Sequence, residues 1–123
     1  MMIKVYGLKQ CSTCRKIMKY LQENGLELTE IEDIRDNPPS LSELKVAYQS
    51  TDGNIRKMLN TSGQVYRDMK LKDRLDSMSS EEVLKLMSKN GMLIKRPFLI
   101  EKEKASSGSN LKIINRVWEI NKA

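Results

Sequence analysis

The sequence predicts an α/β domain in which a β–α–β unit and a β–β–α unit are separated by a helical insertion. Two observations predict this arrangement. Apolar runs typical of strands occur near both ends of the chain, whereas the middle shows only helical periodicity. The chain also contains one Cys-x-x-Cys pair, Cys11 and Cys14, at the junction of the first strand and the first helix. A β–α–β unit with this pair in its first turn is typical of a thioredoxin-like fold.

The first unit begins with an apolar strand, Ile3 to Tyr6, and a turn at Gly7. A helix follows, and its signals are an apolar stripe of Cys14, Ile17, Met18 and Leu21, a cap at Ser12 or Thr13, and an end at Gly25. Cys11 lies off this stripe. A second strand over residues 26–34 should run parallel to the first, because a helix connects the two.

Residues 38–91 form the predicted helical insertion. Pro38-Pro39 marks its start, and two capping boxes, Ser40-x-x-Glu43 and Ser79-x-x-Glu82, open its first and last helices. Residues 65–72 are expected to be irregular or loosely helical. The side chains predicted to face inward are Leu41, Leu44, Ala47 and Tyr48 in the first helix, Ile55, Met58 and Leu59 in a shorter one, and Val83, Leu86 and Met87 in the last.

The second unit begins at residues 92–94, where strand character returns, and continues in Phe98 to Glu101. Pro97 has no N–H for a strand ladder, so it marks a strand start or a special turn. We expect the polar stretch 104–110 to hold a short edge strand. Asn110 then caps a last helix with Leu111, Ile114, Val117 and Trp118 on its inner face.

Length and composition favour a single globular domain over residues 1–123. No apolar run approaches the ~20 residues of a membrane span, and the N-terminus lacks the apolar core of a signal peptide. We therefore expect a cytoplasmic monomer without a membrane partner. The net charge of +6 favours anionic partners, but the basic residues are scattered among acidic ones, which argues against direct nucleic-acid binding.

Cys11 is the candidate reactive residue. The first turn of a helix carries N–H groups without intrahelical partners and a partial positive charge, which stabilise a thiolate and lower its pKa. The charges of Lys9, Arg15 and Lys16 act in the same direction. Cys14, one helical turn later, is placed to trap Cys11 as a disulfide. In a reducing cytoplasm such a pair is better suited to redox chemistry than to a structural bridge.

Two alternatives compete with the redox interpretation. A zinc site needs four ligands, and the chain has no His and no third Cys, so no metal is expected. The second alternative is that both cysteines are inert, buried core residues. Cys14 agrees with it, because Cys14 lies on the apolar stripe, but Cys11 does not. The redox interpretation is therefore favoured.

Further motifs occur in a recognisable order along nearly the whole chain. They are Cys11-Ser12-Thr13-Cys14-Arg15-Lys16, Pro38-Pro39, Asn60-Thr61-Ser62-Gly63 with Tyr66, Leu71-Lys72-Asp73, and Ile94-Lys95-Arg96-Pro97. Together they resemble the glutaredoxin-linked arsenate reductases and their Spx-type relatives. The resemblance implies Cys11 as the nucleophile, a cis proline at Pro97 that faces it, and an oxyanion-binding role for Arg96.

The resemblance also implies a thiol–disulfide oxidoreductase in which Cys14 resolves the adduct on Cys11. No bound cofactor is expected. The electrons would come from a redox partner protein or a small thiol, such as glutathione with glutaredoxin, thioredoxin, or another low-molecular-weight thiol. The residues expected to help bind an anion beside Arg96 are Ser12, Thr13, Arg15 and Lys95.

The chain departs from the arsenate reductases at two of their three oxyanion-binding arginines. Aligned through Tyr66, the first of these positions is Asn60, and the second falls within residues 104–110, which contain no arginine. Because each charge-assisted hydrogen bond contributes roughly 1.5–3 kcal/mol, we expect poor activity on arsenate itself. A thiol-based substrate such as a glutathione mixed disulfide should be used better.

Spx-type regulators share the Cys-x-x-Cys and Arg-Pro motifs, so the resemblance implies a second function as well. It is that of a redox-switched transcriptional regulator that binds the alpha subunit of RNA polymerase. Structural alternatives also remain for single residues: Arg96 as a solvated surface arginine, Ser12 and Thr13 as helix caps, and Asn60 as the end of a helix.

Overall fold

The structure is a computed structural model that describes residues 2–121. Its strands are β1 (Ile3–Gly7), β2 (Leu28–Asp33), β3 (Phe98–Glu101) and β4 (Lys104–Ser107). Its α-helices are α1 (Ser12–Glu23), α2 (Leu41–Tyr48), α3 (Gln64–Asp68), α4 (Leu71–Arg74), α5 (Ser80–Lys89) and α6 (Leu111–Val117). Short 3-10 turns lie at Gln49–Thr51, Ile55–Met58, Leu75–Ser77 and Gly91–Leu93. The predicted α/β class is confirmed.

The four strands form one sheet in the order β2–β1–β3–β4. β1 and β2 are parallel, as predicted from the helix between them, and Val5 lies opposite Ile31. β3 runs antiparallel to both of its neighbours, with Leu99 opposite Val5 in β1 and opposite Ser106 in β4. This is the predicted thioredoxin-like order, β–α–β followed by β–β–α. It places the start of α1 near the segment that leads into β3.

The sheet separates two apolar clusters, because successive residues of a strand point to opposite faces. One cluster consists of Ile3, Val5, Ile17, Leu21, Leu99, Ile114 and Trp118, so α1 and α6 cover that face. The other contains Tyr6, Phe98 and Ile100 from the sheet together with the apolar side chains of α2 to α5. The helices between β2 and β3 therefore pack on the face opposite α1. None of the helices between residues 2 and 121 has the length and apolar character needed to span a bilayer.

The prediction of strand structure at residues 92–94 is wrong. Gly91–Leu93 forms a 3-10 turn, and Ile94 makes only an isolated bridge with Leu59. A run of three apolar residues does not distinguish a strand from a buried turn, since both place side chains in the core. Gly91 is required here, because a Cβ atom at this position would lie 1.8 Å from the carbonyl oxygen of Ile34.

Some predicted inward faces are rotated by a residue or two. In α6, Ile113 is buried whereas Leu111 is 46% exposed, because Leu111 follows the cap at the solvent end of the helix. In α5, Leu84 is buried and Leu86 only half-buried. When apolar residues lie on both sides of a helical stripe, the sequence does not determine which of them face the core, because that depends on the element packed against the helix. In α2, Leu44 and Ala47 are buried, and Leu41 and Tyr48 are half-buried.

Candidate functional site

Cys11, and not Ser12 or Thr13, is the N-cap of α1. Its backbone is extended (φ −79°, ψ 113°), and its Sγ accepts a hydrogen bond from the backbone N–H of Cys14 at 3.3 Å. The sequence prediction of a hydroxyl cap is wrong because the thiol occupies the acceptor position that a Ser or Thr side chain usually takes. The sulfur atom consequently lies at the positive end of a 12-residue helix.

The environment of Cys11 favours its thiolate. Burial raises its pKa, but opposing interactions outweigh this effect and hold the pKa below the ordinary value. These are hydrogen bonds from the thiol and backbone N–H of Cys14, the positive charge of Arg96, and the backbone N–H of Thr13. Cys11 is also half-exposed. A lowered pKa together with access from solvent is what distinguishes reactive cysteines from structural ones.

Cys14 has the opposite environment. It is fully buried, and burial, reinforced by the hydrogen bond to Cys11, raises the pKa of Cys14 to about 11. Its sulfur lies so close to β1 that a Cβ atom at Gly7 would be 2.8 Å from Cys14 Sγ. Both cysteines are free thiols in this structure. The pair therefore combines an accessible thiol that ionises readily with a buried one that stays protonated.

The peptide bond between Arg96 and Pro97 is cis, as the resemblance implied. Pro97 is buried and Arg96 is half-buried. Two hydrogen bonds join this turn to the end of β4: the N–H of Gly108 donates to the carbonyl of Pro97 at 3.0 Å, and Ser107 Oγ donates to the carbonyl of Lys95 at 2.9 Å. Gly108 has φ +95°, a left-handed conformation that favours glycine.

A short antiparallel contact brings the insertion to the same turn. Leu59 and Ile94 form an isolated β-bridge. Two backbone hydrogen bonds of 2.8 Å flank it: the N–H of Asn60 donates to the carbonyl of Leu93, and the N–H of Lys95 donates to the carbonyl of Met58. This pairing places Asn60 opposite Leu93 and diagonal to Lys95. Gly63 leaves room for the Asn60 side chain, because a Cβ atom there would lie 2.8 Å from Asn60 Nδ2.

A small pocket of about 260 Å³ connects these segments. Its lining residues are Cys11, Thr13, Asn60, Lys95, Arg96, Gly108 and Ser109. Two of these residues carry positive charges, three carry neutral polar groups, and none of the seven carries a carboxylate. A pocket of this composition, beside a thiol at a helix N-terminus, is suited to an anion.

A larger open groove of about 880 Å³ also includes Cys11 and Arg96. Its acidic residues are Glu30, Glu32 and Asp33 of β2. Asp33 forms an ion pair with Arg35 at 2.7 Å, and the hydrogen bonds from the Arg35 side chain and backbone are the main cause that lowers the pKa of Asp33 to about 2. Glu30 and Glu32 have no ion-pair partner among the described residues.

The protein can now be placed in a family. The family model of the ArsC family matches residues 6–117. The chain belongs to the ArsC family. Its resemblance to the arsenate reductases and Spx-type proteins, inferred from the motifs, is thereby confirmed.

Members of several kinds are similar to this ArsC-family chain. The uncharacterised protein YusI of Bacillus subtilis is 44% identical over 108 residues, which cover 88% of this chain and 91% of YusI. Global transcriptional regulator Spx 1 of Oceanobacillus iheyensis is 28% identical over 115 residues, 94% of this chain and 86% of the regulator. A solved structure of a possible arsenate reductase from Streptococcus mutans UA159 has a TM-score of 0.73 and 36% identity, with 85% of this chain and 87% of that chain covered.

The ArsC-family structure brings most of the predicted site residues together. The small pocket contains Cys11, Thr13, Asn60, Lys95 and Arg96. Pro97, which follows Arg96 in the chain, is buried, and so is Cys14, whose N–H donates to Cys11 Sγ. Ser12 lines the larger groove. Arg15 is exposed and lines neither cavity. A direct role of Arg15 in binding an anion therefore has no support in the geometry.

Sequence reasoning missed the carboxylates of β2. The signal was present, because the carboxyl ends of neighbouring parallel strands lie at the same edge of a sheet and the Cys-x-x-Cys loop follows β1 there. Glu30, Glu32 and Asp33 all line the larger groove that contains Cys11. Within residues 2–121, no group of three or more His, Cys, Asp or Glu side chains is arranged to hold a metal ion.

Proposed function

We propose that this chain is a thiol-dependent reductase of the arsenate-reductase-like type, with Cys11 as the nucleophile and Cys14 as the resolving cysteine. The observation that supports this most directly is the opposite environment of the two thiols. The pKa of Cys11 is lowered by Cys14 and Arg96 against the effect of burial, whereas burial raises the pKa of Cys14 to about 11. Cys11 is half-exposed and Cys14 is buried. An exposed thiolate can attack first, and a buried thiol can react only with what is already bound to its neighbour.

The chemistry on a mixed disulfide proceeds in two exchanges. The Cys11 thiolate attacks one sulfur of the substrate disulfide; a new S–S bond forms on Cys11 and one substrate thiolate leaves. Cys14 then attacks Cys11 Sγ, its proton passes to the departing second thiolate, and a Cys11–Cys14 disulfide results. The substrate gains two electrons and the cysteine pair loses two. A thiol donor, either two small thiols or a dithiol protein, returns the pair to the reduced state.

Arg96 stabilises the negative charge on Cys11 and on the departing thiolate. Thr13, Asn60 and Lys95 share its pocket and offer further donors to an anionic group of the substrate. With one arginine in this pocket, binding of a tetrahedral dianion is weaker than three arginines would allow. Arsenate is therefore a poor substrate, and a disulfide of a peptide-like thiol such as glutathione is a better one.

A coupled assay that follows NADPH oxidation tests this proposal. The substrate offered to the purified protein is either arsenate or a glutathione mixed disulfide. Two donor systems are compared: thioredoxin with thioredoxin reductase, and glutathione with glutaredoxin and glutathione reductase. We expect turnover of the mixed disulfide that is lost in Cys11→Ser. Ser88→Ala, at a half-buried position in the last turn of α5 and outside both cavities, is the control and should remain active. Robust arsenate turnover that disappears in Arg96→Ala would contradict the assigned substrate.

A second candidate function is supported by the similarity to Spx 1, which extends over 94% of this chain. In that case the Cys11–Cys14 disulfide is a regulatory switch, and the protein binds the alpha subunit of RNA polymerase. Binding of purified alpha subunit to oxidised and reduced protein distinguishes the two functions. Binding by the oxidised form alone, with no turnover in the coupled assay, would replace the reductase proposal.

A further inference from the structure

The side chain of Arg96 is held by an unusual partner. Its Nη1 donates a hydrogen bond to the thioether sulfur of Met92 at 3.3 Å, the one side-chain hydrogen bond of Arg96 within the described residues. None of the ion pairs within residues 2–121 involves Arg96. Arg96 nevertheless lines both cavities that contain Cys11. Within the described residues, a neutral sulfur atom is thus the one side-chain acceptor that Arg96 uses.

The backbone of Met92 is itself well fixed. Met92 is half-buried in the 3-10 turn Gly91–Leu93. Gly91 packs directly on the carbonyl of Ile34, which follows β2, and the N–H of Ile94 donates to the carbonyl of Gly91 at 3.1 Å. The turn thus places the sulfur at a defined point four residues before Arg96.

The chemistry of a thioether suits this position. Its sulfur is a weak and uncharged acceptor, so it can orient a guanidinium without neutralising its charge. A guanidinium has five N–H donors, and one bond to sulfur leaves the others for an anion. The charged or titratable groups that share a cavity with Arg96 are Lys9, Cys11, Glu30, Glu32, Asp33, Arg35 and Lys95. Of the three carboxylates, Asp33 is already paired with Arg35.

We propose that Met92 is a positioning residue, whose sulfur holds the Arg96 guanidinium toward Cys11 while leaving its positive charge uncompensated. The inference rests on the proposed function in one respect, namely that Arg96 stabilises the Cys11 thiolate. It adds a residue that neither touches the substrate nor belongs to a motif. Methionine is required here as an acceptor of low polarity, and not only as an apolar filler.

The test measures the pKa of Cys11 from the pH dependence of its alkylation by iodoacetamide, in a Cys14→Ser background that leaves one thiol. Met92→Leu keeps the size of the side chain and removes the acceptor, and Met92→Gln restores a neutral acceptor. We expect Met92→Leu to lower the alkylation rate at neutral pH about threefold. Met92→Gln should behave like the background protein. Met78→Leu, at another half-buried methionine outside both cavities, is the control and should change nothing.

Arg96→Ala, alone and combined with each Met92 variant, separates the inference from the proposed function. If Met92 acts through Arg96, the difference between Met92→Leu and Met92→Gln disappears once Arg96 is Ala. If Arg96→Ala raises the pKa of Cys11 but this pKa is the same in Met92→Leu and Met92→Gln, the inference is wrong and the proposed function stands. If Arg96→Ala leaves this pKa unchanged, both the role of Arg96 and the inference fail.

The comparison remains decisive if Met92→Leu does not fold. Met92→Gln and Met92→Glu have the same size and differ by one charge. A carboxylate beside Arg96 should neutralise it and lower alkylation at neutral pH about tenfold relative to Met92→Gln, and this effect should shrink in the Arg96→Ala background. Equal rates for the Gln and Glu variants, or an undiminished effect without Arg96, would overturn the inference.

Discussion

At the scale of single residues, the candidate site depends on two thiols of different acidity. The same hydrogen bond acts on both in opposite directions: it lowers the pKa of Cys11, which accepts it, and raises the pKa of Cys14, which donates it. Burial adds to the second effect and is its largest cause. The difference in acidity sets the order of attack in the proposed mechanism.

The raised pKa of Cys14 predicts how stability depends on pH. The folded protein holds this proton up to about pH 11, whereas the unfolded chain loses it near the ordinary value of 9.0. The stabilising contribution is therefore fully present below pH 9 and is lost as the pH rises through 11. Urea denaturation of the reduced protein should show a fall in the free energy of unfolding that is about 2 kcal/mol larger over this range than for Cys14→Ala. If the free energy of unfolding depended on pH in the same way in the reduced protein and in Cys14→Ala, this prediction would be wrong.

Gly7 provides a second prediction at this scale. A Cβ atom at Gly7 would lie 2.8 Å from Cys14 Sγ, so Gly7→Ala should displace the sulfur and destabilise the protein by about 1–3 kcal/mol. In a Cys14→Ala background the contacting sulfur is absent, and most of this cost should disappear. A double-mutant cycle by chemical denaturation measures the difference. The same cost in both backgrounds would show that Gly7 is required for another reason.

At the scale of elements, local signals predicted the helix termini well. The capping boxes at Ser40 and Ser79 both form, and Asn110 caps α6 through its side chain. These predictions succeed because a cap requires only residues within one turn of the helix. The cap of α1 was predicted wrongly because cap preferences favour side chains with an oxygen acceptor, such as Ser12 and Thr13. In the structure the acceptor is the sulfur atom of Cys11.

The contact between residues 58–60 and 93–95 could not be predicted from the pattern. It consists of one bridge and flanking hydrogen bonds between segments that are far apart in the chain. Period-two alternation needs several residues to become visible, and this contact is too short to show it. The resemblance alone suggested that Asn60 lies near the site, and the structure shows the backbone pairing that places it there.

This placement predicts the effect of adding an arginine to the pocket. Asn60→Arg should raise kcat/KM for arsenate about tenfold, because one charge-assisted donor contributes roughly 1.5–3 kcal/mol before the cost of ordering its side chain. Ser62→Arg adds the same charge at an exposed position that does not line the pocket, and it is the matched control. The coupled NADPH assay compares the two variants. Equal effects would mean that only net charge matters and that Asn60 does not contact the substrate.

At the scale of the whole molecule, the sheet order explains why one site combines residues from both ends of the chain. β1 carries the Cys11 loop at its end and lies beside β3, which the cis Arg96–Pro97 turn precedes. The sequence pattern predicted the parallel pair β1–β2 from the helix that connects the two strands, and it predicted an edge strand within the polar stretch 104–110, where β4 lies. It could not predict that Arg96 and Cys11 line the same pocket, because strand order depends on which faces pack together. That neighbourhood was inferred from the resemblance alone.

The most direct test of the central claim is a single-turnover reaction with a glutathione mixed disulfide, analysed by mass spectrometry after acid quenching. We expect one Cys11–Cys14 disulfide to form for each substrate disulfide reduced. Cys14→Ser should stop at a mixed disulfide on Cys11, and Cys11→Ser should not react. Substrate reduction without oxidation of this pair, or an active Cys11→Ser variant, would contradict the proposed mechanism.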